Sequence, residues 1–170
     1  MRSIISGPRT PPMRSSHPIA AQRNISTKKH QEQTAKELYR NNTCPSLLRM
    51  FPSLDHHNLV ESYHGGKLPE NGVDLYTWQD ATLEELTNVI NAAKRVARHP
   101  TARFSFSLVY PNVHGVFVMK EVGTTSNSAS TPDAHKTLRE LDWEIGDYLD
   151  VAIIIPEDDE PVEGAAPGQK

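Results

Sequence analysis

Three histidines lie close together in the sequence, at His56, His57 and His64, and imidazole is a common metal ligand. Adjacent residues in an extended chain point to opposite sides, so His56 and His57 do not readily share one ion. No cysteine or carboxylate cluster completes a ligand set, and we expect neither a metal nor another cofactor. The remaining interpretations are solvated loop histidines or a contact surface that responds to protonation at about pH 6.5.

One cysteine and two aspartates are the other candidates for chemistry. Cys44 as a nucleophile would need a nearby base and an anion-stabilising hole, and beside Pro45 it is predicted to be a small buried hydrophobe instead. Asp147 and Asp150 are both aspartates and could form a pair of catalytic acids. Their spacing across a turn into a strand favours a turn position for Asp147 and an exposed strand position for Asp150. We therefore expect no catalytic residue; a small cysteine-dependent enzyme is the alternative.

Aromatic residues near strand ends are candidates for protein contacts. If the strand before residue 78 alternates, Tyr76 and Trp78 share one face. A tryptophan at a strand end favours the core over an interface, whereas Tyr148, which opens the last predicted strand, fits either place. The candidate protein-interaction residues are therefore His56, His57, Tyr76, Trp78, Tyr148 and Asp150.

The stretch over residues 75–86 must position these groups, because it predicts the end of a strand followed by the start of a helix. Thr82 and Glu85 have the spacing of a capping box, in which the hydroxyl accepts from the amide three residues on. Apolar residues then recur at helical spacing as far as Ala97. Pro100 ends the run, because the residue before a proline is pushed out of the helical region.

The rest of the chain predicts strands around this helix in the order of an α+β fold, the ubiquitin-like β-grasp. The helix would lie across a mixed five-stranded sheet, with the first and last strands central and parallel. Residues 52–72 are predicted to be a long connection, and the Ser/Thr-rich stretch over residues 123–135 a mobile loop. The strands are expected near residues 47–51, 73–76, 104–110, 116–120 and 148–155.

Charge and composition divide the chain into three parts. Residues 1–40 carry eight basic and two acidic residues and most of the early prolines, which predicts a disordered basic tail. Residues 41–155 have a net charge of −5 and are expected to form the β-grasp domain. Residues 156–170 have a net charge of −4 and are expected to be a disordered acidic tail.

Several features bear on the compartment. Cys44 is the sole cysteine, which fits a reducing compartment such as cytosol or nucleus. No apolar run approaches the roughly 20 residues that span a membrane, and no secretory signal is expected. The N-terminal composition also fits a mitochondrial transit peptide, although four prolines in the first eighteen residues oppose its helix. The favoured interpretation is a solvated tail, which could tether nucleic acid in a salt-dependent way.

From residue 43 to residue 155 the chain resembles the Sin3-associated polypeptide family. Two segments carry the match most specifically, Leu75–Leu86 around the tryptophan and Ile145–Ile153 in the last strand. The resemblance implies a ubiquitin-like fold without enzymatic activity. Shorter matches are Thr43-Cys44-Pro45, His56-His57, Phe104-Ser105-Phe106 and Lys120-Glu121-Val122-Gly123.

The resemblance also implies an adaptor in two nuclear settings. One is the Sin3–histone deacetylase corepressor. The other is an exon-junction-associated splicing complex with an Acinus- or Pinin-type motif and a serine-rich RNA-binding protein. We expect a nuclear protein, and a cytoplasmic location is also possible from the sequence. We expect it to bind protein partners and no membrane. Contact with nucleic acid is expected to be indirect or to involve only the N-terminal tail. A sheet edge or the helix–sheet groove would receive short partner segments.

Overall fold

The computed structural model describes residues 19–156, with side chains from residue 30 onward. Its first element is helix α1, Ile19–Asn42, in a region where the sequence predicts disorder up to residue 40. The prolines behind that prediction all precede Ile19, and the helix itself is rich in Ala, Gln, Lys and Glu, which favour helix. The predicted disorder of residues 1–18 and 157–170 lies outside the described residues. No helix within residues 19–156 is both long and apolar enough to cross a membrane.

A five-stranded mixed sheet follows in the order β2-β1-β5-β3-β4. The first and last strands, β1 and β5, are parallel and central, and all other neighbours are antiparallel. This arrangement confirms the predicted α+β class and is compatible with a ubiquitin-like fold. The strands are β1 Ser46–Leu54, β2 Val73–Thr77, β3 Arg103–Pro111, β4 Phe117–Ser126 and β5 Tyr148–Ile154.

Helix α2, Leu83–Ala93, begins where the capping box predicts. The Thr82 hydroxyl accepts a hydrogen bond from the Glu85 amide at 3.3 Å, which satisfies one of the unpaired donors of the first turn. Its buried side chains pack on the inner face of the sheet. This core is formed by Leu83, Leu86 and Ile90 of the helix with Leu48, Met50, Phe104, Phe106, Leu149, Val151 and Ile153 of the strands, and by Trp143.

The helix ends earlier than predicted. Lys94 is already extended, and a separate 3-10 turn, Val96–Arg98, carries the chain toward β3. The guanidinium of Arg98 donates to the carbonyls of Asn91 and Ala92, at 2.7 and 2.9 Å. These carbonyls belong to the last turn, which has no intrahelical partner for them. A basic side chain seven residues away therefore caps the helix, and apolar periodicity alone does not reveal it.

Strand β4 includes the first four residues, 123–126, of the stretch over residues 123–135 that is predicted to be a mobile loop. Its outer edge is closed by side chains of the following turn: the Thr124 amide donates to Asp133 Oδ2 at 3.1 Å, and the Thr131 hydroxyl donates to the Thr124 carbonyl at 2.6 Å. A Cβ at position 123 would lie 2.9 Å from Leu83 Cδ1 and 3.0 Å from Asp133 Cβ, so a larger residue there would have to displace these side chains. Polar pairing rather than apolar burial orders this region, which is why its composition misled the prediction.

Replacing Leu86 by alanine tests the inner core. Leu86 is 1% exposed, so we expect Leu86→Ala to lower the free energy of unfolding by roughly 2–5 kcal/mol through a cavity. Urea unfolding followed by circular dichroism measures this. Asn88→Ala, on the exposed side of the same helix, should change stability by less than about 0.5 kcal/mol. Equal effects of the two substitutions would contradict the orientation of α2.

A second prediction concerns the turn that closes β4. The Lys136 ammonium, 2.7 Å away, and then the Thr124 amide hold the pKa of Asp133 below its ordinary value. The native state therefore prefers the charged form, and this contribution to stability is present above about pH 4 and lost as pH falls further. In urea titrations, the deficit of Asp133→Asn relative to the unmodified chain should shrink between about pH 5 and pH 2. A deficit for Asp133→Asn that stays constant with pH would refute the assignment.

Candidate interaction surface

The face of the sheet turned away from α2, here called the outer face, carries alternate residues of all five strands. One row of Cα partners crosses it from edge to edge: Asp74 on β2, Arg49 on β1, Tyr148 on β5, Val109 on β3 and Met119 on β4. Polar residues lie at the β2 end of this row, where Arg49 Nε and Asp74 Oδ1 are 3.8 Å apart. Apolar residues lie at the β3 and β4 end. The outer face is therefore a second packing surface.

Residues 55–72, here called the covering segment, lie over the apolar part of this face. Tyr63, in the 3-10 turn Val60–Tyr63, is 2% exposed. Its ring stacks on Tyr148 with centroids 5.6 Å apart and meets Phe51 edge-on at 5.4 Å. Phe117 stacks on the Tyr148 ring at 5.9 Å. A Cβ at Gly72 would lie 2.9 Å from the Phe51 ring, so a glycine is needed where the segment returns to the sheet.

Beneath the covering segment lies a fully buried carboxylate, that of Asp150. Its Oδ1 accepts from His57 Nδ1 at 2.7 Å and from the Asn58 amide at 3.2 Å. Its Oδ2 accepts from Asn58 Nδ2 and from the Tyr63 hydroxyl, both at 2.6 Å. The predicted exposed position of Asp150 is wrong, because strand alternation placed it on a face that was assumed to meet solvent. Four donors offset the cost of removing this carboxylate from water.

The hydrogen-bond network extends to Ser105 on β3, and its surroundings keep the Tyr63 hydroxyl protonated. His57 Nε2 lies 3.0 Å from Ser105 Oγ, so the imidazole bridges β5 and β3. Burial, and then the hydrogen bond to Asp150, raise the pKa of Tyr63 far above the usual value of a phenol. The hydroxyl thus remains a donor at every physiological pH. The network acts chemically as an anchor for the covering segment.

Sequence reasoning missed Tyr63 and Asn58, which do as much as His57 to hold this site together. Both lie in a stretch without periodicity that was assigned to a long connection. The one available signal was an aromatic residue in an otherwise polar loop, since large rings seldom stay in solvent. Nothing local indicates that Asn58 meets a carboxylate 92 residues away.

The six predicted interaction residues divide into two groups. His57 belongs to the covering segment and contacts Asp150, and Tyr148 packs against Tyr63 of the same segment. His56, next to His57 in sequence, is exposed. Tyr76 is 70% exposed on β2. Trp78 is partly buried just after β2, and its Nε1 donates to the Thr43 carbonyl at 2.8 Å. A role of any of these residues in partner binding stays a prediction.

The two edges of the sheet differ in accessibility. On β4 the turn over residues 131–136 occupies the main-chain groups of Thr124, as described above. On β2, no further strand of the described chain pairs with the outer edge. Tyr76 stands on this strand as Cα partner of Leu47 and projects from the outer face. The unpaired edge of β2 together with Tyr76, here called the β2 edge surface, has the form that accepts an added strand.

Cys44 is exposed, which corrects its predicted burial. It precedes β1, which starts at Ser46, and so lies outside the packed sheet. Among residues 30–156, no histidine or carboxylate makes a hydrogen bond with its thiol. In the same part of the chain, no three His, Cys, Asp or Glu side chains come close enough together to hold a metal ion.

A family model described as Sin3 associated polypeptide p18 (SAP18) matches residues 37–153. The chain belongs to the SAP18 family. A relative from Arabidopsis thaliana named Histone deacetylase complex subunit SAP18 is 48% identical over 117 residues, which cover 67% of this chain and 77% of the relative. Proteins of the same name from Drosophila melanogaster and Homo sapiens are 41% and 32% identical over 122 and 148 residues. These matches cover 71% and 86% of this chain, and 81% and 97% of the relatives.

The matched residues contain helix α2, strands β1 to β4 and all of β5 except its last residue, and they include Asp150, His57, Asn58 and Tyr63. The SAP18 family match therefore spans both faces of the sheet, the inner core and the anchored covering segment. It also spans the β2 edge surface. The predicted resemblance to the Sin3-associated polypeptide family is confirmed over residues 43–153.

Removing the buried carboxylate tests the anchor. We expect Asp150→Ala to lower the free energy of unfolding by roughly 3–5 kcal/mol, because Tyr63, Asn58 and His57 would lose their shared acceptor. Urea unfolding measures the loss, and amide hydrogen exchange should show faster opening of residues 56–64. Asp74→Ala, which removes an exposed carboxylate 3.8 Å from Arg49, should cost less than about 1 kcal/mol. Similar costs would mean that the network does not anchor the segment.

Proposed function

We propose that this protein is a non-catalytic adaptor subunit of a nuclear histone deacetylase complex of the Sin3 corepressor type. The observation that carries the proposal is membership of the SAP18 family over residues 37–153, together with relatives whose names describe subunits of histone deacetylase complexes. The geometry supports this role, because the buried Asp150 carboxylate has both oxygens hydrogen-bonded by groups of the fold itself. Such a domain would act by offering a binding surface to protein partners.

The binding mode that we propose is strand addition at the β2 edge surface. An extended partner segment would pair with the free main-chain groups of β2, which supplies affinity without demanding a particular sequence. Tyr76 would contribute the side-chain contact, because a large exposed ring with a hydroxyl suits an interface. Trp78, which directly follows β2, is proposed to contribute at its margin, whereas His56 follows the far end of β1.

The finer proposal concerns the second nuclear setting. An Acinus- or Pinin-type motif is short, and a short extended segment is what an unpaired strand of five residues accommodates. We therefore propose that the same surface serves an exon-junction-associated splicing complex, in which a serine-rich RNA-binding protein completes the assembly. Contact with RNA would then be indirect.

Affinity purification separates the two settings. The tagged full-length chain, recovered from nuclear extract of its own cells, should enrich Sin3-type scaffold and histone deacetylase subunits when read by quantitative mass spectrometry. Enrichment of Acinus- or Pinin-type proteins would support the splicing setting. Recovery of neither group above a tag-only control would refute the adaptor proposal in both forms.

Tyr76→Ala tests the surface. We expect it to lower recovery of the main partners about tenfold, which is the effect of losing an aromatic interface anchor worth roughly 1.4 kcal/mol. Val113→Ala is the matched control, because Val113 is 95% exposed on the turn between β3 and β4. Thermal unfolding should be the same for both variants. Undiminished recovery with Tyr76→Ala would place the interface elsewhere.

A further inference from the structure

One threonine stands in the sequence context that a proline-directed protein kinase selects. Thr131 is followed by Pro132, and within residues 30–156 no other serine or threonine directly precedes a proline. Such kinases accept proline after the target hydroxyl, because its ring nitrogen has no N–H that needs a partner in the active site. A dipeptide of this kind also occurs by chance, so its meaning depends on where the fold places it.

The fold presents Thr131 at the surface in an extended conformation. Its φ and ψ are −97° and 157°, which is the backbone form in which a peptide lies along a kinase active site. Residues 127–130 and Pro132 are exposed, and Thr131 itself is partly exposed. No residue from 127 to 133 is buried, so local opening of this stretch uncovers little apolar surface.

The Thr131 hydroxyl has a structural role that a phosphate would remove. It donates to the Thr124 carbonyl at 2.6 Å. Asp133 Oδ2 accepts from the amide of the same residue at 3.1 Å, so two side chains of one turn close the outer edge of β4 at one point. The oxygen of a phosphate ester has no proton to donate, so phosphorylation would leave the Thr124 carbonyl without this partner.

A phosphate on Thr131 would also add negative charge beside a carboxylate. Thr131 and Asp133 both contact the main chain of Thr124, so the two anionic groups would lie close together. The Lys136 ammonium, 2.7 Å from Asp133, already serves that carboxylate. A phosphate next to an aspartate disrupts local structure by like-charge repulsion. The turn over residues 131–136 would therefore separate from β4.

An unpaired guanidinium lies on the other side of Thr131. Arg103 and Thr131 line the same cavity of about 470 Å³, where β3 begins and β4 ends. Arg103 is exposed and has no carboxylate within ion-pair distance among residues 30–156. Arginine binds phosphate through charge-assisted hydrogen bonds that are often bidentate. The cavity thus offers a phosphate on Thr131 a partner away from Asp133.

We propose that Thr131 is a phosphorylation site of a proline-directed Ser/Thr kinase. Its hydroxyl oxygen forms a bond to the γ-phosphorus of ATP, the bond from that phosphorus to the bridging oxygen breaks, and ADP leaves. The hydroxyl proton passes to the base of the kinase and then to solvent. The phosphate turns to Arg103, and the main-chain groups of Thr124 are released. Phosphorylation thereby opens the β4 edge, and this inference is independent of the adaptor proposal.

Kinase treatment of the full-length chain tests the site. Thr10 is the other threonine before a proline, so Thr10→Ala gives a background in which Thr131 is the sole such residue. After incubation with a purified cyclin-dependent kinase and ATP, intact mass spectrometry should show one added phosphoryl group, and peptide mapping should place it on Thr131. Thr131→Ser, which keeps the hydroxyl and the proline, should also be modified at this position.

Two matched variants and a peptide decide the outcome. Pro132→Ala keeps the hydroxyl but removes the proline, so phosphate incorporation should fall to the level of Thr131→Val, which has no hydroxyl there. Undiminished incorporation in Pro132→Ala would overturn the assignment to a proline-directed kinase. Phosphorylation of a synthetic peptide over residues 124–138 but not of the folded chain would overturn the site itself, because the fold would then shield it.

Amide hydrogen exchange and ³¹P NMR test what the phosphate does. In the phosphorylated chain the Thr124 amide should exchange about tenfold faster or more, while the amides of β5 keep their rates. The phosphate should release its last proton at a lower pH than in Arg103→Gln, since a nearby guanidinium favours the dianion. Unchanged exchange at Thr124 would overturn the opening of the edge, and coincident ³¹P titrations would overturn the pairing with Arg103.

Discussion

The outer face of this protein depends on one buried carboxylate. Asp150 lies on the central strand β5 with no exposure to solvent, and a carboxylate in that position is tolerated only if donors surround it. Those donors come from His57, Asn58 and Tyr63, all in the covering segment. The carboxylate therefore decides where a stretch without helix or strand periodicity must lie. The aromatic packing around Tyr148 follows from that placement.

This arrangement changes what the sheet can offer to a partner. With α2 on the inner face and the covering segment on much of the outer face, contacts are directed to the margins of the sheet. At one margin β4 has its edge occupied by Asp133 and Thr131. At the other, β2 keeps an edge without a further strand in the described chain. A sheet whose faces are largely covered can still accept an extended segment through an edge, where main-chain groups supply the pairing.

Sequence reasoning succeeded where the signal depends on near neighbours. The capping box at Thr82, the alternation along β3 and the order of strands each follow from spacings of a few residues, and they were enough for the α+β class and the parallel central pair. It failed where the decisive contact is distant. The burial of Asp150 depends on residues up to 93 positions away, and the order of residues 123–135 depends on Asn127, Thr131 and Asp133 meeting main-chain groups. The extent of helix α1 was not predicted, because the prolines of the first eighteen residues were taken as evidence of disorder for residues 19–40 as well.

The two faces of the sheet stabilise the fold in different ways. The inner core is apolar, and apolar contacts tolerate small shifts because any well-filled arrangement has a similar energy. The hydrogen-bond network on the outer face does not tolerate such shifts. Moving the covering segment by one residue would leave buried polar groups of Asp150, Tyr63 and Asn58 without partners. Buried polar groups thus specify one position for the segment, while the apolar core supplies most of the free energy. The SAP18 family match spans every residue of this network, so it includes the residues that fix the covering segment as well as the apolar core.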